Sequence, residues 1–465
     1  MSWLVRGLTR IHGRLRATSD STVVAVDKGP PRDHVPPVRV SRVGRYAFLL
    51  AVACAAASFG ELSWLVVRPG GLGGFDLLHM YAAALVWRHS LNPYVSATVV
   101  SETNRLAPIF GSDVGYPAFP YLPWYLLAFV PLTLLPFFGV YVGWIVLSGA
   151  LVAWSTRLWA QWTALRIRWW VVCGLVIVAA PFEEIVHWGE TSVLVLGLIT
   201  LSYALCRRRR WTPVGIVAII ALALKPQVAP WLPLGYLLLS RASHNSWRPY
   251  LAGLGIGLGA VVGIPLIVDP RLWPEWLNHF AHYSAVISTS QQDVASIPGL
   301  ERWLPGTTSG SVGFNDPVVW FLAVGAVGCI VLWLWHASKR PEWRPPTSVA
   351  SWVAWVGVPN TVLASVSPYF HTYDLITWLP LLIWGIAANP QTVRHWTLWL
   401  VLAGLMVTRV VQRIVPIPPP AAGSTTPAVV VAFLLLLGTW LFLQEEAGPV
   451  MVGPRAGRLG TPQTR

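Results

Sequence analysis

Asp76, in the run Gly73-Gly74-Phe75-Asp76, lies just past the end of the first long apolar segment of a chain that is otherwise almost all membrane span. A carboxylate at the rim of a bilayer is costly unless it has a partner or work to do, which makes it the first place to look for chemistry. The alternative is that Asp76 merely caps the helix it opens. Lys225 stands out for a similar reason. It is one of three lysines, with Lys28 and Lys339, and it sits in Lys225-Pro226-Gln227 between two short apolar runs. Pro226 breaks a helix there, which makes the intramembrane ammonium a candidate functional group; the competing role is a lysine that snorkels to the interface. Further polar groups expected on the same side are Glu183, Glu184, His187, Glu190, His371 and Asp374. Glu183 and Glu184 read as loop charges. His371 and Asp374 belong to the polar island from Ser367 to Asp374, which is short enough that it must fold back onto its neighbours.

The elements that position these groups follow from composition. With 55% apolar and 11% charged residues, the 465-residue chain reads as an all-α, polytopic transmembrane bundle, not as a soluble enzyme or a β-barrel. The net charge of +14 gathers at span ends and tails, where it sets topology and meets anionic lipid headgroups; nucleic acid is not an expected partner. Four scattered cysteines read as small core residues. No metal-ligand spacing and no Gly-rich phosphate loop occurs in the sequence, so no metal and no cofactor are expected.

Residues 1–43, rich in arginine and proline, are expected to be a disordered cytoplasmic tail. Residues 44–444 form one membrane domain with outer loops 68–116, 269–316 and 367–374, and 445–465 a second cytoplasmic tail. Placing the basic loops inside gives roughly twelve crossings with both termini cytoplasmic and Asp76 on the extracytoplasmic face. From Asp76 to His89 the apolar spacing predicts an amphipathic helix lying on the membrane. Pro213 to Ser240 is too short for two full crossings and predicts a hairpin of short helices with Lys225-Pro226-Gln227 at its apex. Pro117 to Thr156, broken by prolines, predicts a re-entrant or interfacial helix and then one span. The 28 tryptophans read mainly as an interfacial belt, with Trp188 and Trp276 as candidates for stacking on a bound ligand.

The order Gly-Phe-Asp76 then Tyr81, Leu91-Asn92-Pro93-Tyr94, Tyr116-Pro117, Lys225-Pro226-Gln227 and Ser367-Pro368 with Tyr373-Asp374 resembles glycosyltransferase family 87 over about Gly44 to Ala388. That family belongs to the GT-C superfamily, whose members take sugars from polyprenyl-phosphate donors. The resemblance implies a cell-membrane, cell-envelope enzyme, mannosyltransferase- or arabinofuranosyltransferase-like, acting on a glycolipid or glycan acceptor. Asp76 would be the general base of an inverting displacement, Lys225 and His371 would stabilise the departing phosphate, and Tyr81, Tyr94, Tyr116, Glu190, Gln227 and Asp374 would contact sugar or acceptor. The chain departs from the family in Gly189-Glu190, where Gly-Gln is usual, in Ala118, and in Ser-Pro-Tyr369, with the histidine two residues later at His371. The reading from another class is a transporter or lipid flippase for an envelope precursor, which broken helices and an intramembrane lysine also suit.

Overall fold

The computed structural model of the chain describes residues 74–106, 119, 121–165, 167–242, 246–287, 317–340, 347–367 and 370–388. Every regular element among them is helical, as expected where lipid offers the backbone no hydrogen-bond partner. The order is α1 (Phe75–Arg88), α2 (Ser96–Leu106), α3 (Pro123–Phe129) running into a 3-10 turn (Val130–Leu134), and α4 (Phe137–Trp162). Then follow α5 (Trp169–Ile177), α6 (Ala180–Trp188), α7 (Ser192–Arg207), α8 (Trp211–Leu224), α9 (Leu232–Arg241), α10 (Trp247–Val268), α11 (Leu272–Ile287) and α12 (Pro317–Ser338). The last are α13 (Val349–Ser365), with a π turn over Val353–Gly357, a 3-10 helix (Thr372–Trp378) and α14 (Leu379–Ala388).

Among the described residues, Phe137–Trp162, Trp247–Val268 and Trp320–Ser338 are long and apolar enough to cross a membrane, and α5 with α6, bent by 54°, adds a fourth if the pair is one span. Large apolar side chains stand exposed along them, among them Phe138 and Val146 on α4, Ile256 and Ile264 on α10, and Phe321 and Leu332 on α12. Acyl chains are the environment such faces suit. Roughly twelve crossings were expected; those at Gly44–Val67, His395–Val411 and Pro427–Leu443, and both tails, lie outside the described residues.

Several local expectations meet the structure directly. The short helices α8 and α9 form the hairpin with Lys225 at its apex, and α3 with its 3-10 turn precedes the single long helix α4. Two others need correction. Residues 269–316, expected as an outer loop, include the 16-residue helix α11. And α1 is not a surface helix: Leu77 through Ala84 are all buried. Its run Ala82-Ala83-Ala84 lets other helices approach closely where larger residues would hold them off, so α1 packs inside the bundle.

The chain direction sorts the charges. α7 and α4 run the same way, with Leu151 against Gly197 and Ser155 against Thr200, and the tight turn Arg208–Arg210 sends α8 back beside α7. Asp76, Glu190, Lys225 and Asp374 consequently collect at one end of the helices, and Arg207–Arg210, Arg241, Arg248, Lys339 and Arg340 at the other. Toward the basic end, one turn before Arg207, Trp159, Tyr203 and Trp352 form a buried aromatic block, with Trp159 stacked on Tyr203 at 4.9 Å.

The closest helix pair is α8 with α10. Gly253 and Gly257 of α10 lie on the backbone of Thr212 and Ile216, so near that a Cβ on Gly253 would collide with the Thr212 carbonyl. Small residues at four-residue spacing are what permit such contact between helices in lipid. Gly253→Leu is expected to destabilise the protein by about 1–3 kcal/mol or more, read as a lower unfolding temperature in detergent. Gly255→Leu, which meets open space among the described residues, is the matched control; equal melting of the two variants would contradict this packing.

Candidate active site

Two turns build the site. α6 ends at Gly189 in a left-handed conformation with φ +73°, and α1 begins after Gly74 with φ +85°. Both values favour glycine. The turns press on each other: the Gly74 N–H donates to the His187 carbonyl at 2.5 Å, and a Cβ on Gly189 would sit 2.5 Å from Leu77 Cβ and 3.1 Å from Gly74 Cα. Phe75 adds ring contacts with His187 and Trp188, each at 5.6 Å. This contact sets Glu190, the residue after the turn, against the first turn of α1, where Asp76 lies.

Asp76 is not the helix cap. Gly74 holds that position, and Asp76 is the second residue of α1, close to the unpaired N–H groups that favour a negative charge. The contact of the two turns brings its carboxyl within interaction range of the Glu190 side chain. Glu190 Oε2 in turn accepts from Lys225 Nζ at 2.5 Å and from the Thr191 N–H at 3.0 Å.

Lys225 is the centre of the arrangement. It follows the last residue of α8, near carbonyls that favour a cation. Besides Glu190, its ammonium donates to Asp374 Oδ1 at 3.1 Å and to Ser192 Oγ at 3.0 Å, and it lies 4.4 Å above the Tyr373 ring. Three donors meet three acceptors, in a place where Lys225 and Glu190 are each 2% exposed and Asp374 0%. The desolvation of so many charges is tolerable only with this degree of pairing.

Asp374 is oriented from both sides. Ser192 Oγ donates to Oδ1 at 2.6 Å and the His371 N–H donates to Oδ2 at 3.0 Å, so that Asp374 and His371 form the capping box that starts the 3-10 helix. The His371 ring stacks on Tyr373 at 4.9 Å. Tyr125 of α3 closes the other side, its hydroxyl donating to the Leu224 carbonyl just before Lys225.

Of the residues singled out by sequence, the fold thus gathers Asp76, Glu190, Lys225 and Asp374, with His371 beside them. Tyr81 is elsewhere: its hydroxyl donates to the Leu135 carbonyl at 2.7 Å and its ring meets Phe137 edge-on, fastening α1 to α4. Tyr94 donates to the Tyr121 carbonyl at 3.3 Å and packs near Phe119 and His279. Gln227 is half-buried in the turn after Lys225, and Tyr116 lies outside the described residues. Trp188 packs on Phe75, and Trp276 stacks on Phe280.

Glu183 and Glu184 are not loop charges. They lie on α6 and are buried, because the bend after α5 turns α6 inward against the 3-10 helix. Sequence reasoning missed Ser192, whose one trace was the polar run Glu190-Thr191-Ser192 opening an apolar helix, and Tyr125, hidden among ordinary aromatics. Among the described residues no group of three His, Cys, Asp or Glu side chains is arranged to hold a metal ion; between Glu190 and Asp374, the place a cation would take is filled by the Lys225 ammonium.

The model of glycosyltransferase family 87 matches residues 119–365, more than half of the chain, a stretch that includes Glu190, Ser192 and Lys225 but neither Asp76 nor Asp374. No curated protein and no solved structure matches the chain.

Proposed function

Since the chain belongs to glycosyltransferase family 87, we propose that it transfers a sugar, mannose first among the candidates, from a polyprenyl-phosphate donor to a glycolipid or glycan acceptor. Asp76 takes the proton of the acceptor hydroxyl, the hydroxyl oxygen bonds to the anomeric carbon from the opposite face, and the carbon–oxygen bond to phosphate breaks with its electron pair leaving on the phosphate. One base suffices, because the phosphate is already a good leaving group. The observation that supports this best is the placement of Asp76 at a helix N-terminus beside a buried, charge-paired cluster at one end of the helices.

Lys225 is proposed to stabilise the charge that develops on the phosphate. Its three hydrogens are engaged, so a phosphate oxygen would displace Ser192 Oγ, the single uncharged acceptor of the three. His371, beside Tyr373 and Asp374, would assist from the same side. Membranes containing the protein, supplied with labelled polyprenyl-phosphate sugars, should form labelled glycolipid. Movement of the labelled donor between leaflets without any new glycosidic product would instead support the transporter or flippase reading.

The sorting of charges supports an extracytoplasmic site. In a cysteine-free background, Arg271→Cys, at the acidic end and highly exposed, should react with an impermeant thiol reagent added to intact cells, and Arg208→Cys should not. Labelling of the Arg208 position from outside would reverse the orientation.

A further inference from the structure

The contact of the Gly74 and Gly189 turns sets the Glu190 carboxylate beside Asp76, and the reading of Asp76 as base leaves that pairing unexplained. Two carboxylates side by side repel when both are ionised, and one shared proton relieves them. Glu190 is the poorer holder of it. Its Oε2 already accepts from an ammonium and a backbone N–H, and both donors favour the ionised form. The proton therefore rests on Asp76. Asp76 lies in none of the helices apolar enough to be a span; burial and then the Glu190 charge push its carboxyl well above the ordinary carboxylate range, against the pull of Lys225.

The surrounding elements do not relieve Glu190 of this role. The 3-10 helix brings Asp374, already paired with Lys225, together with His371 and Tyr373; α3 brings Tyr125; α6 brings Glu183, Glu184 and His187 in the turns before Gly189. The fixed positive charge in the cluster is Lys225, and it contacts Glu190 and not Asp76.

We propose that Asp76 and Glu190 form a proton-sharing pair through which Glu190 decides when Asp76 is available as a base. This rests on the transferase reading above. With the shared proton in place, Asp76 cannot accept another. Once that proton has left to water, Asp76 takes the hydroxyl proton as the new sugar–oxygen bond forms and the phosphate departs, which restores the one-proton pair; the proton must leave again before the next turnover. A glutamine at 190 would behave differently, donating its amide N–H to an ionised Asp76 with no shared proton.

Transfer rate against pH in the full-length protein tests this. Wild type should show a rate that climbs about tenfold per pH unit along an acid limb placed above the ordinary carboxylate range near 4. In Glu190→Gln that limb should move at least one unit toward acid, so that the variant outpaces wild type at low pH. Superposable profiles, or a folded Glu190→Gln that transfers nothing at any pH, would overturn the proposal. Infrared spectroscopy supplies a readout independent of turnover: a carboxylic-acid C=O stretch at neutral pH in wild type, missing from both folded Asp76→Asn and folded Glu190→Gln. Absence of that band in wild type would overturn the shared proton even if Glu190→Gln failed to fold. A band present in a protein that transfers no sugar would leave the pair standing and remove the transferase reading instead.

Discussion

Asp76→Asn is expected to lower sugar transfer by about 10²- to 10⁴-fold, the usual worth of a positioned proton acceptor, with little effect on folding. Asparagine has nearly the same shape, so the contact of the Gly74 and Gly189 turns is retained. Its amide can donate a hydrogen bond to the neighbouring Glu190 carboxylate. Lost is only the capacity to take a proton. The deficit should therefore fall on kcat, with the KM for the donor close to that of wild type. Asp76→Glu keeps the carboxylate but carries it one methylene further from a helix turn already packed against Gly189, and should recover only part of the rate. Near wild-type transfer by Asp76→Asn would end the role of Asp76 as base, whatever the fate of the rest of the cluster.

Substitution of Lys225 should produce the largest loss of stability in the protein. Removing the ammonium leaves Glu190 and Asp374 buried without their shared cation, and breaking a buried pair in this way costs about 3–5 kcal/mol. Lys225→Met is thus expected to unfold at a markedly lower temperature or to fail to accumulate. Lys225→Arg retains the charge with a different geometry and should keep part of both stability and activity.

The structural and catalytic roles of Lys225 separate in a double variant. Asp374→Asn removes one of the two charges that Lys225 balances, so combining it with Lys225→Gln should restore much of the stability lost in Lys225→Gln alone. If the ammonium also holds the donor phosphate, the folded double variant will still use donor poorly, because a charge-assisted contact of about 1.5–3 kcal/mol is missing, roughly 10- to 100-fold. Wild-type donor kinetics in folded Lys225→Gln would leave Lys225 as a pairing residue alone.

Local chemistry along the chain forces one set of features. Apolar runs without alternation can only be helices in lipid. Pro226 between two runs too short to cross made a hairpin with Lys225 at its apex the simplest solution, and the periodicity after Gly74 marked a helix from Asp76 to His89, which forms as Phe75–Arg88. The charged residues worth attention were visible too, since an ionisable group in such a chain is costly wherever it sits.

Which of these groups meet is settled by how the helices pack. Lys225 and Asp374 are separated by 149 residues and Ser192 and Asp374 by 182, and nothing in their local sequence specifies the pairing. Burial makes a partner for Lys225 compulsory without naming it; the partner is fixed by helix directions, by the bend between α5 and α6 and by the meeting of the Gly74 and Gly189 turns. The same reason explains the misread elements. The polarity of Glu183 and Glu184 suggested solvent, and the pattern of α1 suggested a membrane surface, because a sequence displays the character of each face but not what the fold lays against it.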